Sequence, residues 1–246
     1  MDKKNPYGPS DTSSSSNAKS ASFTSSYPES QAPSTSGSSA IQRFHQQQQL
    51  SFVIGGKTYL FPSVFGVYRD GMKKLVLSEH HVTTPFMSIA LHSGLSGEPS
   101  IVVSSPTAIM GTADFHSFSS KTDIVVGNTS TSLQSTGFLS PVWDFTYTFD
   151  DGLQEVFEWR RSSGGAVAGL GGRSRGQKLV RVSNGEIVAA WTHPGGFNLN
   201  KLAKIGLLDS ARVYGWGERW EVTVVMGAIA LIEKERRTRN NAANAA

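Results

Sequence analysis

From Leu50 onward, short apolar-rich segments are separated by turn residues at a spacing of roughly eight to twelve positions, a pattern typical of all-β sandwiches and barrels. In the first half of the chain the pattern predicts strands at 51–54, 57–61, 64–69, 73–77, 86–92, 100–103 and 124–126. Gly55-Gly56 between the first two segments is a two-residue hairpin signal. The interval 104–120 is ambiguous because Pro106 and a serine-rich stretch weaken any regular pattern.

The second half of the chain contains the clearest hairpins. Residues 142–149 are followed by the turn Asp150-Asp151-Gly152, and residues 153–160 then form the returning strand. Residues 177–182 and 186–192 flank Ser183-Asn184-Gly185, the strongest short hairpin signal of the chain. Together these segments predict roughly a dozen antiparallel strands.

Residues 220–232 form the only long run that resembles a helix, and apolar side chains occupy almost every position. A helix that is hydrophobic all round is buried on every side or lies in lipid. At about 1.5 Å per residue the run covers roughly 20 Å, which is too short for a bilayer core of about 30 Å. A buried core helix is therefore the favoured interpretation. The β-branched cluster 222–225 leaves open that the segment begins as a strand.

The order of these elements predicts a mainly β fold. No helical pattern alternates with the strands, which argues against parallel α/β units. A many-stranded antiparallel sheet avoids exposed edges most simply by closing into a barrel, and a barrel of about twelve strands has a wide interior that needs filling. We therefore expect a closed antiparallel barrel of about twelve strands around the buried C-terminal helix.

Composition divides the 246-residue chain into three parts. Residues 1–48 are rich in Ser, Pro and Gln and cannot bury enough apolar surface to fold, so we predict a disordered tail whose serine runs are candidate phosphorylation sites. The folded domain is expected at 50–239, followed by a disordered end at 240–246. The absence of cysteine excludes disulfides and thiolate metal sites, and the lack of an apolar signal near the N-terminus favours a cytoplasmic location. We also expect a monomer. A membrane surface and the nucleus are the alternative locations.

Three features, in this order along the chain, carry a family resemblance: the Trp-Arg-Arg triplet at 159–161, the hairpin of 178–182 with 185–191, and the apolar helix closed by the charged residues 233–237. Residues 50–239 thereby resemble fungal members of the tubby C-terminal-like superfamily, which includes tubby domains, phospholipid scramblases and LURP-one-related proteins. The resemblance implies a twelve-stranded barrel around a central hydrophobic helix and, at the level of the superfamily, binding to phosphoinositides. The missing cysteines and missing spanning helix argue against lipid scrambling.

The candidate anion-binding site is the glycine-rich loop 162–176 with the basic residues on it and at its base. If 153–161 and 177–183 pair as neighbouring strands, five cations converge at one end of the barrel, namely Arg160, Arg161, Arg173, Arg175 and Lys178. Guanidinium groups suit phosphate, and a flexible glycine-rich loop lets backbone N–H groups approach an anion. The alternative is a solvated, mobile loop whose arginines maintain solubility.

Complete catalytic patterns are missing from the sequence. Residues 172–176 match the Gly-x-Ser-x-Gly spacing, but a strand is predicted directly after them and not the helix that a nucleophile elbow requires. No His-Glu-x-x-His motif occurs, and the adjacent histidines His80 and His81 would point to opposite sides of an extended segment. We therefore expect no enzyme activity, no metal, no cofactor and no nucleic-acid partner. The expected function is a non-enzymatic module that binds an anionic lipid head group. A structural or protein-interaction domain without a small ligand is the alternative.

Overall fold

The computed structural model describes residues 52–54, 57–80, 84–93, 96–116, 119–136, 141–196 and 200–245. Fourteen strands and three helices lie in these ranges. The strands are β1 Phe52–Ile54, β2 Lys57–Tyr59, β3 Val64–Arg69, β4 Lys74–Ser78, β5 Met87–Leu91, β6 Ile101–Ser104, β7 Ile109–Phe115, β8 Thr122–Val126, β9 Thr129–Thr136, β10 Val142–Thr148, β11 Gln154–Ser162, β12 Gly176–Arg181, β13 Ile187–Thr192 and β14 Lys201–Leu207. The helices are α1 Gly165–Ala168, α2 Asp209–Tyr214 and α3 Glu218–Asn244.

Strands β3 to β14 form a closed antiparallel barrel, which confirms the expected fold class. Each strand pairs with the next one along the chain, and β14 pairs back onto β3, with Ile205 opposite Phe65. Strands β1 and β2 form a separate two-stranded sheet in which Ile54 lies opposite Lys57, as the Gly55-Gly56 signal predicted. Closure satisfies both edges of the twelve-stranded sheet with main-chain hydrogen bonds.

Helix α3 runs through the barrel. Every residue from Trp220 to Glu233 is buried, so no face of this stretch reaches solvent. The helix contacts β14 on one side and β7 and β8 on the other, and these strands lie on opposite walls of the barrel. The β-branched cluster at 222–225 is helical, because in this position the tertiary environment outweighs its strand propensity.

The core around α3 is aromatic. Trp159, Trp191 and Trp220 are almost completely buried, while Trp143 and Trp216 are partly buried and pack against the same cluster. Gly227 lets the strand wall approach the helix closely, since a β-carbon there would lie 3.1 Å from Nε1 of Trp159. A large side chain at position 227 would therefore displace a fully buried indole.

The two ends of the barrel are defined by the direction of α3. At the start end, where α3 begins, Oε2 of the buried Glu221 accepts hydrogen bonds from the backbone N–H groups of Leu60 and Phe61, at 2.9 and 3.3 Å. The buried Arg212 donates to the carbonyl oxygen of Phe61 at 2.8 Å and lies 4.5 Å from the ring centroid of Tyr59. A small pocket beside these residues has a volume of about 10 Å³.

At the exit end, where α3 leaves the barrel, side chains of helix residues 233–237 form its polar contacts. The carboxylate of Glu233 is buried and accepts hydrogen bonds from Arg236 and Arg237, and Arg237 also donates to the carbonyl oxygen of His92. The Lys234 ammonium donates to the carbonyl oxygen of Ser120. These contacts connect the C-terminal half of the helix to the loops that follow β5 and precede β8.

Several elements differ from the predicted ones. Strands β7, β9 and β14 and the short helices α1 and α2 were not predicted individually. Helix α3 continues to Asn244, beyond residue 239, where the sequence placed the end of the domain. The predicted disordered tail lies outside the described residues. Among the helices of the described chain, none is both long and apolar enough to cross a bilayer.

Candidate functional site

A cavity of about 720 Å³ opens at the exit end, between α3 and the ends of β10 to β13. Its basic side chains are Arg161, Arg175, Lys234 and Arg239, and Glu235 is its one carboxylate. Trp143, Trp191 and Leu231 supply apolar wall beneath these charged groups. The cavity therefore combines an apolar interior with a predominantly cationic rim.

Strand alternation decides which of the predicted cations reach the cavity. On β11, Trp159 points inward, so Arg160 points outward and Arg161 inward at the barrel mouth. Arg160 forms an ion pair with Glu158, at 2.5 Å between Nη2 and Oε2. Lys178 lies opposite Arg160 on β12 and shares its outward orientation, whereas Gln177, opposite Arg161, is buried in the cavity wall.

The glycine-rich loop is packed on the barrel rather than extended into solvent. Val167 of α1 and Leu170 are buried against Ala190 of β13, and the Lys204 ammonium donates to the Leu170 carbonyl oxygen at 2.6 Å. Close packing needs glycine at 176, because a β-carbon there would lie 2.1 Å from the carbonyl oxygen of Trp191. The expectation of a flexible loop was therefore wrong for this part of the chain. Small residues on the strands beneath the loop leave space in which Val167 and Leu170 pack.

The end of this loop places Arg175 at the cavity and leaves Arg173 outside it. The Thr192 hydroxyl lies within hydrogen-bond distance of the carbonyl oxygens of Arg173 and Arg175, at 2.9 and 3.1 Å. The Arg173 backbone N–H donates to the carbonyl oxygen of His193 at 2.8 Å. Both arginine side chains are exposed, and within the described ranges neither has a hydrogen-bond or ion-pair partner. The structure thus brings together at the cavity only two of the five predicted residues, Arg161 and Arg175.

Glu235, His193 and Gln177 form a hydrogen-bonded cluster on the cavity wall. The His193 Nε2 atom lies 3.0 Å from Oε2 of Glu235, and Nδ1 lies 3.1 Å from the carbonyl oxygen of Leu202. The Gln177 amide donates to Oε1 of Glu235 at 3.3 Å. Burial raises the pKa of Glu235, but the hydrogen bonds from His193 and Gln177 and the nearby charges of His193 and Arg239 lower it more, so the net pKa lies below its usual value. The carboxylate is therefore already engaged by protein donors.

Lys234 is the most desolvated cation of the cavity. Its Nζ atom lies 4.5 Å from the ring centroid of Trp143 and 5.5 Å from that of Phe115. Burial lowers the pKa of Lys234 to about 8. An anion in the cavity would meet an ammonium group with little competing water, since aromatic rings cover much of its surroundings.

Further wall residues were not part of the predicted site, among them Trp143, Gln177, His193, Lys234 and Glu235. The alternation of side chains along β11 could have shown which arginine reaches the cavity. If Trp159 points inward, Arg161 points inward as well and Arg160 points outward. Among the described residues no group of three or more His, Cys, Asp or Glu side chains could hold a metal ion.

Comparison of this chain with protein-family models, with curated proteins and with solved structures gives no match.

Proposed function

We propose that this protein is a non-enzymatic binding module whose exit-end cavity takes a phosphorylated, phosphoinositide-like lipid head group. The observation that carries the proposal is the cavity itself, with four cationic side chains, a single engaged carboxylate, and two arginines that lack an acidic partner within the described ranges. Arg161 lies at the barrel mouth because side chains alternate along β11, and Arg175 lies there because the loop before β12 packs on the barrel.

The chemistry of the rim suits phosphate oxygens. The guanidinium groups of Arg161 and Arg175 present paired N–H donors that match phosphate geometry. Lys234 contributes a desolvated point charge from the helix side. Because Glu235 accepts hydrogen bonds from His193 and Gln177, its carboxylate is partly neutralised by these donors and repels an incoming anion less than a free carboxylate would.

The fold agrees with the family resemblance, and this agreement supports the proposal further. A twelve-stranded antiparallel barrel around a buried apolar helix is the architecture that the tubby C-terminal-like superfamily implies. We therefore extend to this chain, as a proposal, the anionic-lipid binding of that superfamily. Arg160, Arg173 and Lys178, predicted as members of the site, do not line the cavity and are assigned no direct contact with the head group.

Isothermal titration with soluble inositol 1,4,5-trisphosphate tests the cavity without a membrane. We expect Arg161→Ala/Arg175→Ala to weaken binding by roughly 100-fold or more, since each charged hydrogen-bonding group contributes about 1.5–3 kcal/mol. The matched control is Arg173→Ala/Lys178→Ala, which removes the same charge outside the cavity and should change affinity by less than about threefold. Binding should also weaken as pH rises through about 8, where Lys234 loses its proton.

Two results would contradict the proposal. Equal losses in the two double variants would show that net charge, and not the cavity, governs binding. Absence of binding by the wild type, with a cooperative unfolding transition in the same sample, would favour a structural or protein-interaction module without a small ligand.

A further inference from the structure

The start end carries an exposed apolar surface beside strands β11 and β12. Of the nine large apolar side chains that are exposed in the described part of the chain, five lie there: Leu153, Val156, Val182, Val213 and Tyr214. Val156 and Val182 are direct neighbours, since the Val182 backbone N–H donates to the Val156 carbonyl oxygen at 2.9 Å. Such a concentration at one place, unlike singly scattered apolar residues, is typical of an interaction site.

Aromatic contacts connect these side chains into one surface. The Arg181 guanidinium lies 5.2 Å from the ring centroid of Tyr214 and 5.6 Å from that of Trp216. The two rings stack with their centroids 4.8 Å apart. Trp216 also lies 5.7 Å from the ring of Phe149, whose backbone N–H donates to the Leu153 carbonyl oxygen at 2.8 Å. We call this surface the apolar face; it consists of Leu153, Val156, Val182, Tyr214 and the partly exposed Trp216.

Strand propensity does not explain the apolar face. β-branched residues are common on the outer surface of strands, which accounts for Val156 and Val182 by themselves. Leu153 lies in the turn before β11 and is 66 % exposed, and Tyr214 ends α2 and is 45 % exposed. Neither position requires an apolar side chain for its secondary structure. These residues share a location on the surface and not a structural element.

Carboxylates flank the apolar face on the nearby turns and helix ends: Asp150, Asp151, Glu186, Asp209 and Glu218. They are not offset by exposed cations, since Arg181 and Arg219 are each paired with a carboxylate and Arg212 is buried. Among the described side chains, no exposed Lys or Arg lies at the start end. A surface that is apolar at its centre and anionic at its rim is complementary to an apolar partner surface with a cationic rim.

We propose that the apolar face docks a basic, amphipathic helical segment of another protein. All strands of the barrel are paired on both sides, so they offer no free edge for strand addition, and recognition has to use side chains. A helix with an apolar stripe between Lys and Arg residues places its apolar side chains on the apolar face and its cations beside the carboxylates.

The charge of the rim also decides against other occupants. Two copies of this chain that paired through the apolar face would bring like charges together, and nucleic acid would be repelled for the same reason. The inference does not rest on the proposed head-group cavity, because that cavity lies at the opposite end of the barrel.

Three fluorescently labelled helical peptides test the chemistry of the partner against the full chain. The first contains lysine and leucine in an amphipathic pattern, the second has glutamate in place of lysine, and the third has alanine in place of leucine. We expect saturable binding of the lysine–leucine peptide by fluorescence anisotropy. Binding of the other two should be at least about tenfold weaker, because each lacks one half of the complementarity.

Apolar variants locate the bound peptide. Leu153→Ser/Val182→Ser should weaken binding of the lysine–leucine peptide by roughly tenfold or more, because it removes two apolar contacts from the face. The matched control is Ile109→Ser/Val125→Ser, which removes two exposed apolar side chains from β7 and β8. Its affinity should change by less than about twofold.

Charge variants test the rim. Asp151→Asn/Asp209→Asn should weaken binding at low salt by roughly three- to tenfold, since exposed ion pairs each contribute modestly. The control Asp70→Asn/Glu98→Gln removes the same charge at the exit end and should leave affinity unchanged within about twofold. A rise in salt to about 0.5 M should remove the difference between these two variants, because exposed charges are then screened.

Four outcomes would overturn the proposal. The first two are a folded wild type that does not bind the lysine–leucine peptide saturably, and equal binding of the glutamate–leucine peptide. The third is an equal loss of affinity in the two apolar variants. The fourth is self-association of the wild type that Leu153→Ser/Val182→Ser abolishes in sedimentation velocity, which would assign the apolar face to a second copy of the chain. Trisphosphate binding at the exit end is measured separately, so the two proposals fail independently.

Discussion

Two glutamates on the same helix show how differently the ends of this barrel are built. Burial raises the pKa of Glu221 at the start end, although backbone N–H groups of Leu60 and Phe61 and the charge of Arg212 act against it. At the exit end, hydrogen bonds and nearby positive charge outweigh burial and lower the pKa of Glu235. The start end uses its polar groups to close the fold, with almost no open volume beside them. The exit end directs its polar groups at a large cavity, so binding chemistry and structural closure are separated along one helix.

Ala228→Asp should have the largest effect, because it disrupts the helix on which both ends depend. Ala228 is fully buried at the centre of α3, and a carboxylate there has no partner in place. We expect a loss of several kcal/mol, which exceeds much of the stability of an ordinary domain, and hence no soluble folded protein. Soluble yield and circular dichroism measure this, with the exposed Arg239→Ala as the control. A cooperative unfolding transition in Ala228→Asp would contradict the central placement of α3.

Removing one arginine from each end should have unequal effects on stability. Arg212→Ala at the start end removes a buried hydrogen bond to Phe61 and the contact with Tyr59, and leaves Glu221 without its neighbouring cation. We expect it to reduce the free energy of unfolding by about 2–4 kcal/mol. Arg161→Ala at the exit end should reduce it by less than about 0.5 kcal/mol, since this side chain is exposed and lacks an ion-pair partner in the described structure.

Urea denaturation of both variants measures this difference. Similar losses in the two variants would show that the exit-end arginine is also structural.

The smallest expected effect is on the pH dependence of the free energy of unfolding, for which the two glutamates should differ in sign. The raised pKa of Glu221 gives stability that is present below the unfolded value of about 4.5 and is lost as pH rises through the folded value. The lowered pKa of Glu235 gives stability that is present above about 4.5 and is lost as pH falls through the folded value. The cost of Glu221→Gln should therefore decrease between pH 4 and 7. The cost of Glu235→Gln should increase as pH rises from below the lowered folded pKa of Glu235 to above about 4.5.

Denaturant titrations of wild type and both variants at several pH values follow this directly. Parallel pH trends for the two substitutions would contradict the assigned directions, because only opposite shifts produce opposite slopes.

The architecture was predictable because the spacing of apolar segments and the turn residues between them indicate the same strands over most of the chain. The turns at 150–152 and 183–185 fall where the sequence placed them, and the apolar run at 220–232 lies at the centre of α3. Strand β9 was missed because its residues are nearly all Ser and Thr, with Leu133 as its only fully buried side chain. Its strand conformation comes from pairing with β8 and β10, which no local pattern reveals.

The site was predicted only in part, for a physical reason. The sequence indicated that basic residues gather near the β11–β12 loop, but local composition suggested a mobile loop. The space in which Val167 and Leu170 pack is left by Ala190 and by glycines on distant strands, including Gly206, whose β-carbon would lie 2.7 Å from Leu170 Cδ2. Likewise His193 and Glu235 come from segments 42 residues apart, and only the completed barrel brings them together.

The central position of α3 also has a consequence for synthesis. Every barrel strand leaves the ribosome before the helix that fills the barrel, because α3 follows β14 in the chain. In a nascent chain that has not reached residue 218, the helix that covers the inward-facing apolar side chains of the strands is still missing. Such exposed apolar surface is prone to aggregation. Translation that pauses or stops just before α3 would therefore leave a substrate for chaperones or proteases, because the barrel is filled by a segment made after all of its strands.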